Sequence, residues 1–440
     1  MAWPSVLQNV IGGLQGVIDH AMVGHYVGFA GNAAIGVGMQ IFLVITVFLA
    51  SLFSGMSVLI ARFAGAGDTV GVNRAASQAF LLAVFLAVGV LAPLGYAVAP
   101  SLLGMVNATA AVQAEALPFL RIMFVFGFGM MLFFMLGGAL RSAGDARTPL
   151  VLGVAVTIGN ICFNVLFIRG WGPIPAFGTA GAAMGTVISS GLVGAYALWK
   201  LFAGAWVIDF RHVSWKPDWD VIRALFRFGL PTGLQGIAMN IAGVLMLRFI
   251  GSTRLSAEAQ AAFTVGYTEL FSLVTWTSVG LMGTAAAIAG QNLGAGKPER
   301  SREAVRRAAR LGLGIAVVVG ILFLTIPTTL LALFGMTQPE PVRIGTELLA
   351  YLSVSGLFIT VALTFTGGLQ GTGDTRGPLY ISLVSQFALP IGMLALLQST
   401  RPLEPRDIWL AIVLGHAVRC ALSVWRFEQG RWKAIEVKVG

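Results

Sequence analysis

Asp19 stands in an otherwise apolar stretch near the N-terminus, and Gln8, Gly12, Gln15 and Asp19 recur at helical spacing. A helix there carries one polar face with a single carboxylate on it. Asn160 and Asn164 lie four residues apart in a second apolar stretch and so share a helix face. With 1.5 Å of rise per residue they sit about 16 and 22 Å along their helix, close to the depth of about 24 Å expected for Asp19. Thr186 and Gln40, on two further stretches, fall at compatible depths. A carboxylate among amide and hydroxyl oxygens can hold either a proton or a small hard cation. In the second half Glu269 is the one acid deep in an apolar run, with Gln235 and Asn240 in the run before it.

An ionisable group at membrane depth costs at least about 2.5 kcal/mol, which makes each such acid a functional candidate. Structural roles compete with that reading: an interfacial, snorkelling Asp19, amide bonding between helices for Asn160 and Asn164, and an ion pair between Glu269 and Arg248. His20 and His25 read as interfacial residues rather than a proton relay.

These positions have meaning only if the apolar stretches cross a bilayer, and the composition says that they do. The 440-residue chain is 57% hydrophobic and 10% charged, with a mean hydropathy of +0.85. Soluble domains carry about 25% charged residues, and one aqueous core cannot hide so much apolar surface. Runs of roughly 20 or more apolar residues fall at about 3–24, 34–61, 75–99, 115–140, 149–169, 178–200, 229–251, 257–290, 304–334, 345–370, 378–398 and 407–426. The expected fold is therefore an all-α polytopic membrane protein with twelve transmembrane helices in two six-helix bundles.

The net charge of +10 is distributed as in cytoplasmic membrane loops rather than as a nucleic-acid patch. Arg62 and Arg74, Arg141 and Arg147, the bases from Lys200 to Arg227, Lys297 to Arg310, Arg376, and Arg426 to Lys438 all fall on one side. The other side has only Arg169, Arg254, Arg343, Arg401 and Arg406, with Arg121 near a helix start. This predicts a multi-pass protein of a bacterial-type plasma membrane with both termini cytoplasmic. The first span begins almost at Met1, with no cleavable leader pattern. Residues 1–202 form the expected first lobe, 203–228 a polar linker, 229–428 the second lobe and 429–440 a tail. Cys162 and Cys420 read as packing residues without disulfide or metal spacing.

The halves repeat. GALRSAGDARTPL from Gly138 resembles GGLQGTGDTRGPL from Gly367, and Ala64-Gly65-Ala66-Gly67 stands in the same register to Leu293-Gly294-Ala295-Gly296. An even number of spans per half relates the two by a pseudo-two-fold axis along the membrane normal. Gly144-Asp145 and Gly373-Asp374 read as turn chemistry, with Arg147 and Arg376 as neighbouring partners.

VIDHAMVG in the first span, LRSAGDARTP after the fourth, NICFN in the fifth, GQNLGAGKPER after the eighth and LQGTGDTRGP after the tenth together resemble the MATE (multidrug and toxic compound extrusion) transporters, of the bacterial NorM/DinF-like kind. The resemblance covers nearly the whole chain. It implies a secondary active antiporter exporting organic, often cationic, compounds by alternating access, with Asp19 at the family's acidic position. Many members pair an Asn with an Asp where this chain has Asn160 and Asn164. The missing second acid favours coupling to a proton gradient over sodium, since a carboxyl withdrawn from water holds a proton more readily. The expected coupling group is Asp19, Asn160, Asn164 and Thr186, with Gln8, Gln15, Gln40, Asn240 and Glu269 lining the cavity.

Small organic molecules and lipids are the expected partners, and a monomer the expected state. GQNLGAGKP lacks phosphate-loop spacing and has Pro298 after Lys297, so neither nucleotide nor another cofactor is expected. The phenylalanines and methionines from Met123 to Met135 read as helix packing or lipid contact, with a soft substrate pocket as the alternative. A lipid-linked precursor flippase would want a basic cavity, and the spans offer only Arg248 and Arg419. A membrane-embedded enzyme would want a nucleophile elbow or clustered metal ligands, which the sequence lacks.

Overall fold

A computed structural model describes residues 2–105 and 109–437. Met1 and the end of the expected tail, Lys438 included, lie outside the described residues. The chain divides into two compact units, residues 3–233 and 234–437.

The first unit holds six helical rods: α1 (Ala2–Tyr26), α2 (Phe29–Ala66), α3 (Thr69–Met105), the pair α4 (Ala110–Phe126) and α5 (Phe128–Ala143), α6 (Arg147–Arg169) and α7 (Gly178–Phe202). Six more follow: α8 (Trp219–Gly251), which starts within the expected linker, α9 (Ser256–Gly294), α10 (Pro298–Thr325) with the short α11 (Pro327–Ala332) after it, α12 (Pro339–Gly371), α13 (Arg376–Thr400) and α14 (Pro405–Glu428). Ten helices among the described residues are long and apolar enough to cross a membrane, and the pair α4–α5 makes an eleventh; the 25-residue α1 is the remaining rod of the twelve.

Two spans differ from their expected outlines. The run at 115–140 is broken at Gly127, where α4 and α5 meet at 54°. The run at 304–334 stops at Thr325, because Pro327 has no N–H to continue the ladder and opens α11 instead. Three rods also contain π-helical segments, Phe85–Leu91, Thr264–Leu270 and Leu383–Ala388.

The repeated Gly-Asp turns do the same work in each unit. Gly144 and Gly373 have φ of 106° and 98°, the left-handed region that a side chain resists. The following aspartate then caps the next helix: Asp145 accepts from the Arg147 and Thr148 N–H groups at 3.0 Å, and Asp374 from Gly377 N–H at 3.0 Å. The expected partner of Asp374 is corrected here, because Arg426 on α14, not Arg376, bonds its carboxylate at 2.8 Å.

The segment after the sixth rod folds back on its own unit. Phe210 is buried against Phe80, Phe202 and Trp215. Asp209 N–H donates to Asn73 at 2.9 Å, Gln78 donates to the Lys216 carbonyl at 2.9 Å, and Arg74 pairs with Asp218 at 2.5 Å. The tail does likewise in the second unit: Trp432 stacks on Phe427 at 5.0 Å, and Lys433 pairs with Glu299 at 2.6 Å. Asn73 and Arg302 occupy the same place in the repeat, but Asn73 holds the segment after the sixth rod while Arg302 bonds Glu428 at the end of α14.

Candidate functional site

Three helices of the first unit build one buried polar chain. Asp19 is on α1, Asn160 and Asn164 on α6, and Thr186 on α7, with relative exposures of 8%, 0%, 0% and 6%. Asn164 Nδ2 donates to Asp19 Oδ1 at 2.6 Å and also to Asn160 Oδ1 at 3.2 Å. Asn160 Nδ2 donates to Thr186 Oγ1 at 3.1 Å, and the Thr186 hydroxyl donates to the Ala182 carbonyl at 3.1 Å. The four expected coupling residues thus form a single hydrogen-bonded line from carboxylate to backbone.

One atom in that line is left over. Asn164 Oδ1 is buried and has no partner among the described residues, at a cost of about 1–3 kcal/mol for an unmade bond. It packs onto bare Gly185: a Cβ there would lie 2.1 Å from it. Gly185 is therefore part of the site and was not evident from the sequence. Its signal was the G-T-A-G-A-A-M-G spacing of small residues that lets α7 approach α6.

The polar face of α1 continues away from Asp19. Thr157 on α6 donates to Gln15 Oε1 at 3.2 Å. Arg141 on α5 donates to Gln8 Oε1 at 2.7 Å. Thr157 was legible in principle, three residues before Asn160 on one face. Arg141 was read as a loop residue, yet α5 extends past it and carries its guanidinium inward to Gln8.

Other expected residues are not brought to the site. Gln40 is exposed on α2, on the far side of its helix from the buried Gly38 and Ile41. Asn240 is exposed and donates to its own helix at Gly236 O, 3.0 Å away. Glu269 is half-buried in the second unit; its carbonyl accepts from the Ser272 hydroxyl at 2.5 Å, while its carboxylate has no hydrogen-bond or ion-pair partner among the described residues, and the considered partner, Arg248, is exposed. His20 faces Asn32 at 2.5 Å, and His25 is exposed beside Tyr26. Cys162 is exposed instead of packed inside, and Cys420 is half-buried; both are free thiols. Among the described residues no three His, Cys, Asp or Glu side chains are grouped as a metal site.

The second unit carries a different inventory. On α14, His416 is 3% exposed and Arg419 5% exposed. His416 Nδ1 meets Ser355 Oγ of α12 at 2.5 Å. Gln235 donates to Ser382 at 2.8 Å and accepts from Gln370 at 3.2 Å.

Fold and site together define a multi-pass α-helical membrane protein of two like six-helix units, with a buried carboxylate–amide line in the first. The MatE family model matches the chain twice, over residues 4–166 and 231–394, and the chain belongs to the MATE family, whose members are transporters and not enzymes. It is 26% identical over 438 residues to a probable multidrug resistance protein NorM of Thermotoga maritima, covering 98% of this chain and 92% of that one. It is 28% identical to the protein of the same name in Deinococcus radiodurans, covering 97% and 93%. Among solved structures, an outward-facing conformation of a multidrug resistance MATE family transporter of the MOP superfamily superimposes with a TM-score of 0.90 at 21% identity, covering 99% of this chain and 96% of that one. A MOP superfamily transporter from Pyrococcus furiosus superimposes equally well, at the same TM-score of 0.90, identity of 21% and coverage of 99% and 96%. The twelve-helix, two-bundle architecture expected from the apolar runs is the one observed.

Proposed function

We propose that the protein is a secondary active antiporter that exports organic, often cationic, compounds in exchange for protons by alternating access. The observation that carries the coupling half of this reading is the line Asp19–Asn164–Asn160–Thr186, with one carboxylate at its end and one amide oxygen unpaired. The substrate half is supported by relatives named as multidrug resistance proteins. The protein works as a monomer in a bacterial-type plasma membrane. Its termini face the cytoplasm, in keeping with the basic residues gathered at one set of helix ends.

The chemistry follows from donor and acceptor counts. Ionised, Asp19 only accepts, and the Asn164 amide supplies the proton of the bond. Protonated, Asp19 becomes a donor and needs an acceptor. A turn of the Asn164 amide offers the unpaired Oδ1 and withdraws Nδ2 from Asn160, so the change reaches Thr186 on α7. If the two hydrogen-bond patterns suit two bundle conformations differently, proton binding biases one of them. A substrate that prefers the other conformation is then linked to the proton by thermodynamic reciprocity.

Sodium is the second reading. It draws on the same unpaired oxygen, which is a hard-cation ligand type, but the site offers a single carboxylate.

Cells expressing Asp19→Asn are expected to lose export of an organic cation such as ethidium while the protein still reaches the membrane at wild-type level. Export at the wild-type rate, still responsive to pH, would overturn the coupling role.

A further inference from the structure

Two buried polar sites, one in each unit, have opposite deficits. Beside Asp19 the unpaired buried atom is an acceptor. Along α14 three side-chain atoms are buried without a partner among the described residues, Trp409 Nε1, Arg419 Nε and Ser423 Oγ, and the first two can only donate. Trp409, His416, Arg419 and Ser423 recur at steps of seven, three and four residues and so share the inward face of the helix. Arg419 is 5% exposed and has no carboxylate bonded to it among the described residues. A buried guanidinium without a counter-charge is among the costliest arrangements in a membrane protein.

A cavity of about 100 Å³ lies beside this face. Its polar wall includes Tyr267 and His416, both within electrostatic reach of Arg419. Ser355 occupies His416 Nδ1, which leaves Nε2 as the ring's remaining hydrogen-bonding atom. The rest of the wall is apolar and aromatic, with Phe263 stacked 4.8 Å from Tyr267 and 6.3 Å from Trp409. Tyr267 and Gln386 reach the cavity from the π-helical segments Thr264–Leu270 and Leu383–Ala388. Such segments cost hydrogen-bond geometry and recur at functional sites.

We infer that the second unit holds a binding site for a small anion, best fitted by an organic carboxylate with an apolar body, seated in this cavity against His416 and Tyr267, with the buried charge of Arg419 next to them as its counter-charge. The carboxylate supplies the counter-charge that Arg419 lacks, and the apolar body lies against Phe263. This site takes the charge opposite to the one held at Asp19. It stands apart from the coupling reading, because binding here needs no gradient.

The test uses the purified full chain in detergent, in a chloride-free sulfonate buffer, with benzoate as probe and benzyl alcohol as its uncharged counterpart. Benzoate is expected to bind saturably by calorimetry and to raise the thermal midpoint, and benzyl alcohol to do neither. Arg419→Met is expected to raise the ligand-free midpoint, since it removes an unpaired charge, and to weaken benzoate at least tenfold; Arg419→Lys, which keeps the charge, is expected to retain part of the affinity. Displacement of benzoate by chloride would assign the site to anions generally, and failure of chloride to compete would assign it to carboxylates. The inference is overturned if neither benzoate nor chloride binds saturably, or if both variants bind benzoate as the wild type does.

Discussion

At the scale of residues, the candidate site depends on complementary counting of donors and acceptors. Thr186 accepts the end of the line, so Thr186→Val leaves Asn160 Nδ2 without a partner in a fully buried position. The cost of such an orphan, about 1–3 kcal/mol, is expected as a lowered thermal midpoint in detergent together with slower export. An unchanged midpoint would mean that Asn160 finds another acceptor. Gly185→Ala is expected to act more sharply, because its Cβ would overlap Asn164 Oδ1 at 2.1 Å. At least a tenfold loss of pH-driven export is the expected outcome, read against membrane expression. Asp19, Asn160, Asn164 and Thr186 were all legible in the sequence, since polar groups in apolar runs are few and helical spacing aligns them. Gln40 and Asn240, expected to line the cavity, are both exposed and neither joins the buried line. Depth along a helix fixes one coordinate, and the rotation that decides which residues meet is set by neighbours the sequence does not order. Arg419 was visible as a lone base in a span, but the cost argument that singles out an acid applies equally to it and to His416.

Elements carry the site through their ends and their contacts. The Gly-Asp turns behaved as their composition predicts, because positive φ and an adjacent capping carboxylate are local requirements. The break at Gly127 and the π-helical segments were not legible, since both arise from packing between helices. The linker is likewise more ordered than its polarity suggests, and its electrostatics give a sign that can be checked. The Arg211 side chain and N–H bond Asp209 and hold its carboxyl down at about 2. For Asp218 burial pushes upward, but the Val221 N–H and Arg74 outweigh it, and the carboxyl also lies below its usual range. Groups with depressed values give their full contribution above the ordinary carboxylate value of about 3.9 and lose it only as the pH falls further. Hydrogen-exchange protection of residues 205–218, corrected for intrinsic rates, is therefore expected to be the same at pH 5.5 and pH 8.0. A loss of protection within that window would place a proton switch in the linker and not at Asp19.

Over the whole molecule, duplication was the most legible feature, since turn motifs and helix ends recur in register across both halves. The repeat is faithful where the scaffold needs it and diverges where charge is handled. Asp19 corresponds to Met246 when the first helices of the halves are aligned, and Met246 lines the cavity beside His416. The buried carboxylate–amide line of the first unit has no counterpart among the described residues of the second, whose α14 carries the buried Arg419 and His416 instead, which concentrates the central claim on Asp19. The direct measurement is movement of a labelled organic cation in proteoliposomes under an imposed proton gradient or an imposed sodium gradient, for the wild type and Asp19→Asn. The wild type is expected to move the cation against the proton gradient and to ignore sodium, and Asp19→Asn to respond to neither. Sodium-driven movement indifferent to pH, or an Asp19→Asn protein as fast as the wild type under the proton gradient, would contradict it.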